Sequence, residues 1–210
     1  MPFRVGIIGA GWYGCHLASS LLSLGFEVTI FERRLRVLDE ASGHNQFRLH
    51  LGFHYARHHG TRQQSRDGFL RFIERYPDLS GPVATNIYAV PKNDSLIDFQ
   101  TYKMIMASSG IDFAEFSDVS AWLSDVDGAL LTPERVLMIS RARRFFSQRL
   151  SGVLRLGEDV TSITHNDTHA SINGEIFDYV IDASWGKFMR GSANIFFEPT
   201  LLLYYETDEN

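Results

Sequence analysis

Two short stretches hold most of the residue types that could do chemistry. The first, "IIGAGWYG", sets Gly9, Gly11 and Gly14 in the spacing G-x-G-x-x-G. Between a strand and a helix, such a turn lets a phosphate approach bare backbone and meet the free N–H groups of the helix start. The second, "SGHNQFRLHLGFHYARHH" over residues 42–59, holds five of the eight histidines together with Arg48 and Arg57, and no acid. Metal ligation, nucleic-acid contact and an anion-facing pocket all draw on these residue types. His50 and His54, or His54 and His58, have the i, i+4 spacing of paired ligands on a helix. No Asp, Glu or Cys between Ala41 and Arg66 supplies a third ligand, and Arg48, Arg57, Arg62 and Arg66 would repel a cation, so no metal is expected. Bases could stack on the aromatic residues. A net charge of −5 argues against a nucleic-acid partner. The anion-facing pocket fits best, with Arg48, His50, His54 and Tyr55 as its candidate catalytic residues. His58, His59, Arg62 and Arg66 read as solvated surface.

Both stretches need elements to position them. "FRVGII" is a short apolar run with branched residues, which reads as a buried parallel strand over Phe3–Ile8. "WYGCHLASSLLSLG" then sets Leu17, Leu21, Leu22 and Leu24 at helical spacings, with Gly25 as the stop. "EVTIFE" is a second strand, completing one right-handed βαβ unit. In that context Gly9 permits the tight turn, Gly11 admits a pyrophosphate and Gly14 lets the helix pack on the strand. Glu32, ending the second strand, is placed to accept hydrogen bonds from a ribose, which disfavours a 2′-phosphate there. Trp12 and Tyr13 in the turn and Arg33 beside Glu32 join the expected cofactor-binding set. Cys15 reads as a small packing residue.

Further along, "TRQQSRDGFLRFIERYP" reads as a helix ended by Pro77, "GPVATNIYAVPK" as a strand, "SLIDFQTYKMIMASSG" as a helix and "IDFAEFSD" as a strand. In "TPERVLMISRARRFFSQRL", Thr132 as N-cap, Pro133 at the first helical position and Glu134 in the first turn predict one helix to Leu150. Short strands follow in "VLRL", "DVTSITHN", "HASING" and "DYVIDASWG", with hairpin signals at Asn166-Asp167 and Asn173-Gly174.

The totals agree with an ordinary globular chain. The 210 residues are 44% hydrophobic and 21% charged, and no run reaches the ~20 apolar residues of a membrane helix. One cysteine and an amino terminus without a signal-peptide pattern are the basis for expecting a cytoplasmic protein.

The βαβ start with Glu32, the segment "ASGHNQFRLH" and the late "GEDVTSIT…DYVIDASWG" together resemble the FAD-dependent oxidoreductases of the D-amino acid oxidase, glycine oxidase and sarcosine oxidase (DAO) group. The resemblance implies an α/β fold: a Rossmann-type FAD-binding domain with an inserted, incomplete α+β substrate domain. It implies residues 1–78 and 133–190 for the first and 79–132 and 191–210 for the second. It implies FAD as cofactor, Ser42, His44, Asn45 and Gln46 as cofactor neighbours, Val160 beside the adenine, and Ala183, Ser184 and Gly186 beside the cofactor. His44 and Arg48 resemble a His and an Arg near the flavin of sarcosine-oxidase-like members, while Leu51 stands where some relatives have a second substrate-binding arginine. The implied reaction is hydride transfer to flavin from the C–N bond of an amino acid or related amine, with a carboxylate-bearing small molecule as substrate. Family members continue well past this length, and "LLLYYETDEN" reads as a strand cut before its partners, so an incomplete flavin site is expected. Three other readings stay open: a truncated non-catalytic dinucleotide-binding module, an NAD-linked dehydrogenase, and a non-redox flavoenzyme.

Overall fold

The first βαβ unit is present in the computed structural model, which describes residues 2–188. β1 (Arg4–Ile8) and β2 (Glu27–Glu32) flank α1 (Trp12–Ser23). β1 is buried from Val5 to Ile8, as an unbroken apolar run must be when both sheet faces are covered. α1 gives way to Gly25, which takes the left-handed φ of +86° that ends many helices. β3 (Arg48–Leu49) and α2 (His59–Arg75) follow. His58 caps α2, its Nδ1 accepting the Thr61 N–H at 3.0 Å.

Next come β4 (Ser80–Pro82), β5 (Ile87–Pro91) and α3 (Phe99–Ser108), the last capped by the Asp98 carboxylate, which accepts the Thr101 N–H at 2.8 Å. β6 (Ala114–Glu115), α4 (Val119–Trp122) and β7 (Val126–Leu131) complete this stretch. The helix expected from Thr132 to Leu150 is only partly formed. Arg135–Leu137 is a strand, β8, and α5 begins at Ile139 and ends at Arg149. The Thr-Pro-Glu signal is local, whereas β8 is paired on both sides, by β3 and β4, and tertiary pairing outweighs propensity. β9 (Leu154–Leu156), β10 (Ile163–His165), β11 (Ala170–Ile172), β12 (Glu175–Phe177) and β13 (Tyr179–Asp182) follow. Asn173 and Gly174, at φ +51° and +86°, make the β11–β12 hairpin turn that the sequence signals.

The chain divides into two compact units, Met1–Gln46 with Ile139–Asn210, and Phe47–Met138. In the first, β13, β1, β2 and β9 form a parallel sheet in that order, accompanied by the antiparallel meander β10–β12. Ile8, Phe31, Val160, Ile172 and Phe177 form a buried cluster, with Phe31 and Phe177 edge-on at 5.9 Å. The second unit holds two antiparallel sheets, β3-β8-β4 and β5-β7-β6, and a core that includes Phe53, Phe69, Phe99 and Met106. Sequence boundaries were expected at 78/79 and 132/133; the division falls at 46/47 and 138/139. The cause is pairing of β3 with β8 and the anchoring of α2 within the second unit. Arg62, expected on the surface, is that anchor: it is 5% exposed and donates to Ser109 Oγ at 2.6 Å and to the Tyr55 and Ala56 carbonyls. Residues 191–210, expected in the substrate domain, lie outside the described residues.

Phe177→Ala should destabilise the protein by about 3–5 kcal/mol, the cost of an uncollapsed aromatic cavity. Urea unfolding of the purified variant measures it.

Candidate functional site

The carboxyl ends of β1, β2 and β13 open onto a cleft of about 280 Å³ in the first unit. Three glycines shape it, each for a different reason. At Gly9, φ is +98° and a Cβ would lie 2.7 Å from the Ala183 carbonyl oxygen. At Gly14, a Cβ would lie 1.9 Å from the Gly9 carbonyl oxygen, so α1 can pack there only on a glycine. At Gly11, a Cβ would meet only the Ser42 hydroxyl, at 3.1 Å. Packing therefore does not demand Gly11; keeping the cleft floor bare does. Gly11 is also the N-cap of α1 in extended conformation without a side-chain cap, and Ser42 Oγ accepts the Trp12 N–H at 3.1 Å. This helix start offers N–H groups and a positive dipole end to an anion.

Glu32 lines the cleft at 8% exposure. Its Oε2 accepts the Ala10 N–H at 2.7 Å and its Oε1 the Arg34 N–H at 2.8 Å. Two backbone bonds hold the carboxylate at the strand end while spare lone pairs remain for a diol. Arg33 and Arg34 both donate to Glu40, which draws both guanidiniums onto one carboxylate. These features fit the adenosine diphosphate half of FAD.

Of the residues expected at the cofactor, Gly9, Gly11, Trp12, Tyr13, Glu32 and Arg33 line the cleft. Ser42, Val160, Ala183 and Ser184 do so as well. Gly14 acts behind it through helix packing. His44, Asn45 and Gln46 are exposed outside the cleft lining, and Gly186 follows the lining residue Trp185. Trp185 and Lys187 line the cleft without having been singled out in the sequence. Cys15, buried on α1, has its thiol pushed up to about 12, first by burial and then by Glu32, which fits a packing role.

The candidate catalytic residues gather elsewhere, in the second unit, around an acid that the sequence hid. Glu134 is 2% exposed. Its Oε2 accepts Arg48 Nη2 at 2.8 Å and the Tyr88 hydroxyl at 2.8 Å, and its Oε1 accepts the Leu51 N–H at 2.7 Å. Arg48 Nη2 donates also to Tyr88 Oη at 2.9 Å and to Asn86 Oδ1 at 3.2 Å. His50 Nδ1 is 3.6 Å from Glu134 Oε2, an electrostatic contact longer than a hydrogen bond. Burial works to raise the Glu134 carboxyl, but the His50 ring, the Leu51 N–H and the Tyr88 hydroxyl outweigh it and hold it at about 2. The His54 ring centroid lies 5.0 Å from that of His50 and 5.1 Å from that of Tyr88. Burial, then His50 and Arg48, lowers the His54 pKa, which favours its neutral form. Tyr55 is half-buried at its edge, 6.3 Å from His54. The stretch that lacks acids in sequence therefore has one in space. Glu134 was read as a helix first-turn residue, and no local spacing could have revealed its pairing. Among the described residues, no group of three or more His, Cys, Asp or Glu could hold a metal ion.

Known proteins share this organisation. The family model described as FAD dependent oxidoreductase (DAO) matches residues 4–199. FAD-dependent monooxygenase FPY4 of Fusarium mangiferae is 57% identical over 205 residues, which are 98% of this chain and 56% of that protein. FAD-dependent monooxygenase kojA of Aspergillus flavus is 31% identical over 193 residues, covering 86% of this chain and 45% of its own length. The chain thus spans about half the length of these curated relatives. Glycine oxidase from Geobacillus kaustophilus matches with a TM-score of 0.65 at 16% identity, covering 86% of this chain and 55% of that structure. L-proline dehydrogenase from P. horikoshii matches at 0.64 and 16% identity, covering 88% and 54%. At such identities the solved structures share the fold. The resemblance that the sequence carries is borne out.

Two outcomes follow from the two sites. Gly14→Ala should lower the melting temperature and abolish FAD binding, whereas Gly11→Ala should keep the fold; circular dichroism and flavin absorbance of the two variants report this. Because the folded Glu134 pKa lies below its ordinary 4.5, the unfolded state binds the extra proton, so this contribution is complete above about pH 4.5 and is lost as pH falls toward 2. Glu134→Gln should cost roughly 3–5 kcal/mol at neutral pH and flatten that acid limb, measured by urea unfolding at several pH values.

Proposed function

The chain belongs to the DAO family of FAD-dependent oxidoreductases, and on that premise we propose that it serves an enzyme oxidising the carbon–nitrogen bond of an amino acid or related amine. The observation that carries the cofactor half of this reading is the bare floor at Gly11 beside the bound carboxylate of Glu32. Glu32 would accept the ribose hydroxyls, and Gly11 with the α1 terminus would take the pyrophosphate. FAD, when bound, supplies the acceptor for the hydride that leaves the substrate carbon.

The second unit supplies groups suited to such a substrate. Every side-chain hydrogen bond of Arg48 among the described residues leaves from Nη2. Its Nε and Nη1 are thereby left to meet a carboxylate, the bidentate geometry a guanidinium favours. His54, whose pKa is lowered toward the neutral form, is suited to accept a proton from the substrate ammonium, leaving the amine from which hydride departs. Amino-acid-oxidising proteins of the same fold, glycine oxidase and L-proline dehydrogenase, support this reading. A second reading rests on the curated relatives, both named monooxygenases, and has oxygen inserted into the product.

One experiment tests both. The purified protein should carry flavin absorbance, and anaerobic mixing with carboxylate-bearing amines should bleach it. In ¹⁸O₂, C–N oxidation yields ammonia and a carbonyl product whose oxygen comes from water. Label in the product sinks that reading and favours oxygen insertion; a colourless protein that takes up no FAD sinks both.

A further inference from the structure

We propose that Trp185 is an aromatic platform for the adenine ring of the bound dinucleotide, an assignment that rests on the FAD reading of the cleft. The residue lines the cleft and is 82% exposed, and its backbone lies at φ +62°. A left-handed backbone is costly for any residue with a Cβ, and a bulky one keeps it only where the surroundings impose it. Here they do. The Ser184 N–H donates to Asp182 Oδ1 at 2.9 Å, and the Ser184 hydroxyl donates to the same atom. The Lys187 N–H then donates to Ser184 Oγ at 3.2 Å, and Gly186 between them sits at φ +85°. The loop is thus fastened on both sides of Trp185, yet the indole itself is turned to water. An exposed, strained indole adds little to the stability of the fold, so its placement points to something that enters the cleft.

The hydrogen bonds also say which half of the dinucleotide it meets. Lys187 Nζ donates to Asp159 Oδ1 at 2.7 Å and to the Val160 carbonyl at 2.8 Å. Those residues directly follow Glu158, whose N–H donates to the Glu32 carbonyl at 3.0 Å. The Trp185 loop is therefore tied to the strand end that presents the ribose acceptor. The ring attached to that ribose is adenine, whose π-face stacks on indole without regard to its hydrogen-bonding edge.

The test uses ADP, FMN and FAD as probes on the intact protein. ADP should quench indole fluorescence in the wild type, and the difference from Trp185→Phe separates this signal from the other two tryptophans. FMN alone should leave that difference signal unchanged. Trp185→Gly should weaken ADP and FAD binding about ten-fold in equilibrium dialysis, with Trp185→Phe recovering most of it. The Trp185→Gly apoprotein should melt no lower than wild type, since glycine accepts the left-handed backbone freely. Wild-type ADP affinity in Trp185→Gly overturns the platform, as does a lowered melting temperature of that apoprotein. A wild-type protein that binds neither ADP nor FAD overturns the cleft reading itself, and the platform with it.

Discussion

A carboxylate taken out of water must be surrounded by donors, and each unit of this chain is arranged around one. Glu32 draws the N–H groups of Ala10 and Arg34 onto itself, which locks the glycine turn to the end of β2. Glu134 draws in the Leu51 N–H, Tyr88 and Arg48, which ties β3, β5 and the start of β8 together. Leaving either acid unmatched would cost several kcal/mol, a sizeable share of the stability of a domain. The same matching makes both acids useful. Their hydrogen bonds fix them in position, and in each unit their surroundings gather the chemically interesting residues.

The two units use opposite electrostatics. In the first, the cations at the cleft already have partners among the described residues: Arg33 and Arg34 share Glu40, and Lys187 donates to Asp159 and the Val160 carbonyl. Anion binding there falls to backbone N–H groups and the dipole of α1, which suits a pyrophosphate held by bare backbone. In the second, a guanidinium is held by one nitrogen, and the pKa of a nearby histidine is lowered, first by burial. Tyr88 lies between these groups; burial, then Glu134, raises its pKa, so its hydroxyl remains a donor throughout the physiological range.

Much of the cofactor site was legible because it is local. Gly9, Gly11, Gly14 and Glu32 belong to one strand, helix and strand, where spacing along the chain translates directly into position. Ser42, Val160, Ala183 and Ser184 were reached through family resemblance, and they line the same cleft. The histidine stretch was harder. Its acid-free composition suggested an excess of positive charge, but Arg48 finds Glu134 eighty-six positions away. Arg62, which resembled its solvated neighbours, is a buried strut because Ser109 and two carbonyls meet it in space.

By itself, then, the sequence determined the parallel βαβ core, the glycine turn and the acid at the second strand's end, since hydrophobic period and glycine spacing act within about thirty residues. Tertiary structure alone decided the rest. It made Arg135–Leu137 a strand, because β3 and β4 supplied partners on both sides. It turned Glu134 from a first-turn residue into the buried counter-ion of Arg48, and it held Trp185 in a strained, exposed conformation at the cleft. Long-range pairing and hydrogen-bonded loop geometry are properties of the folded chain, and no period along the sequence encodes them.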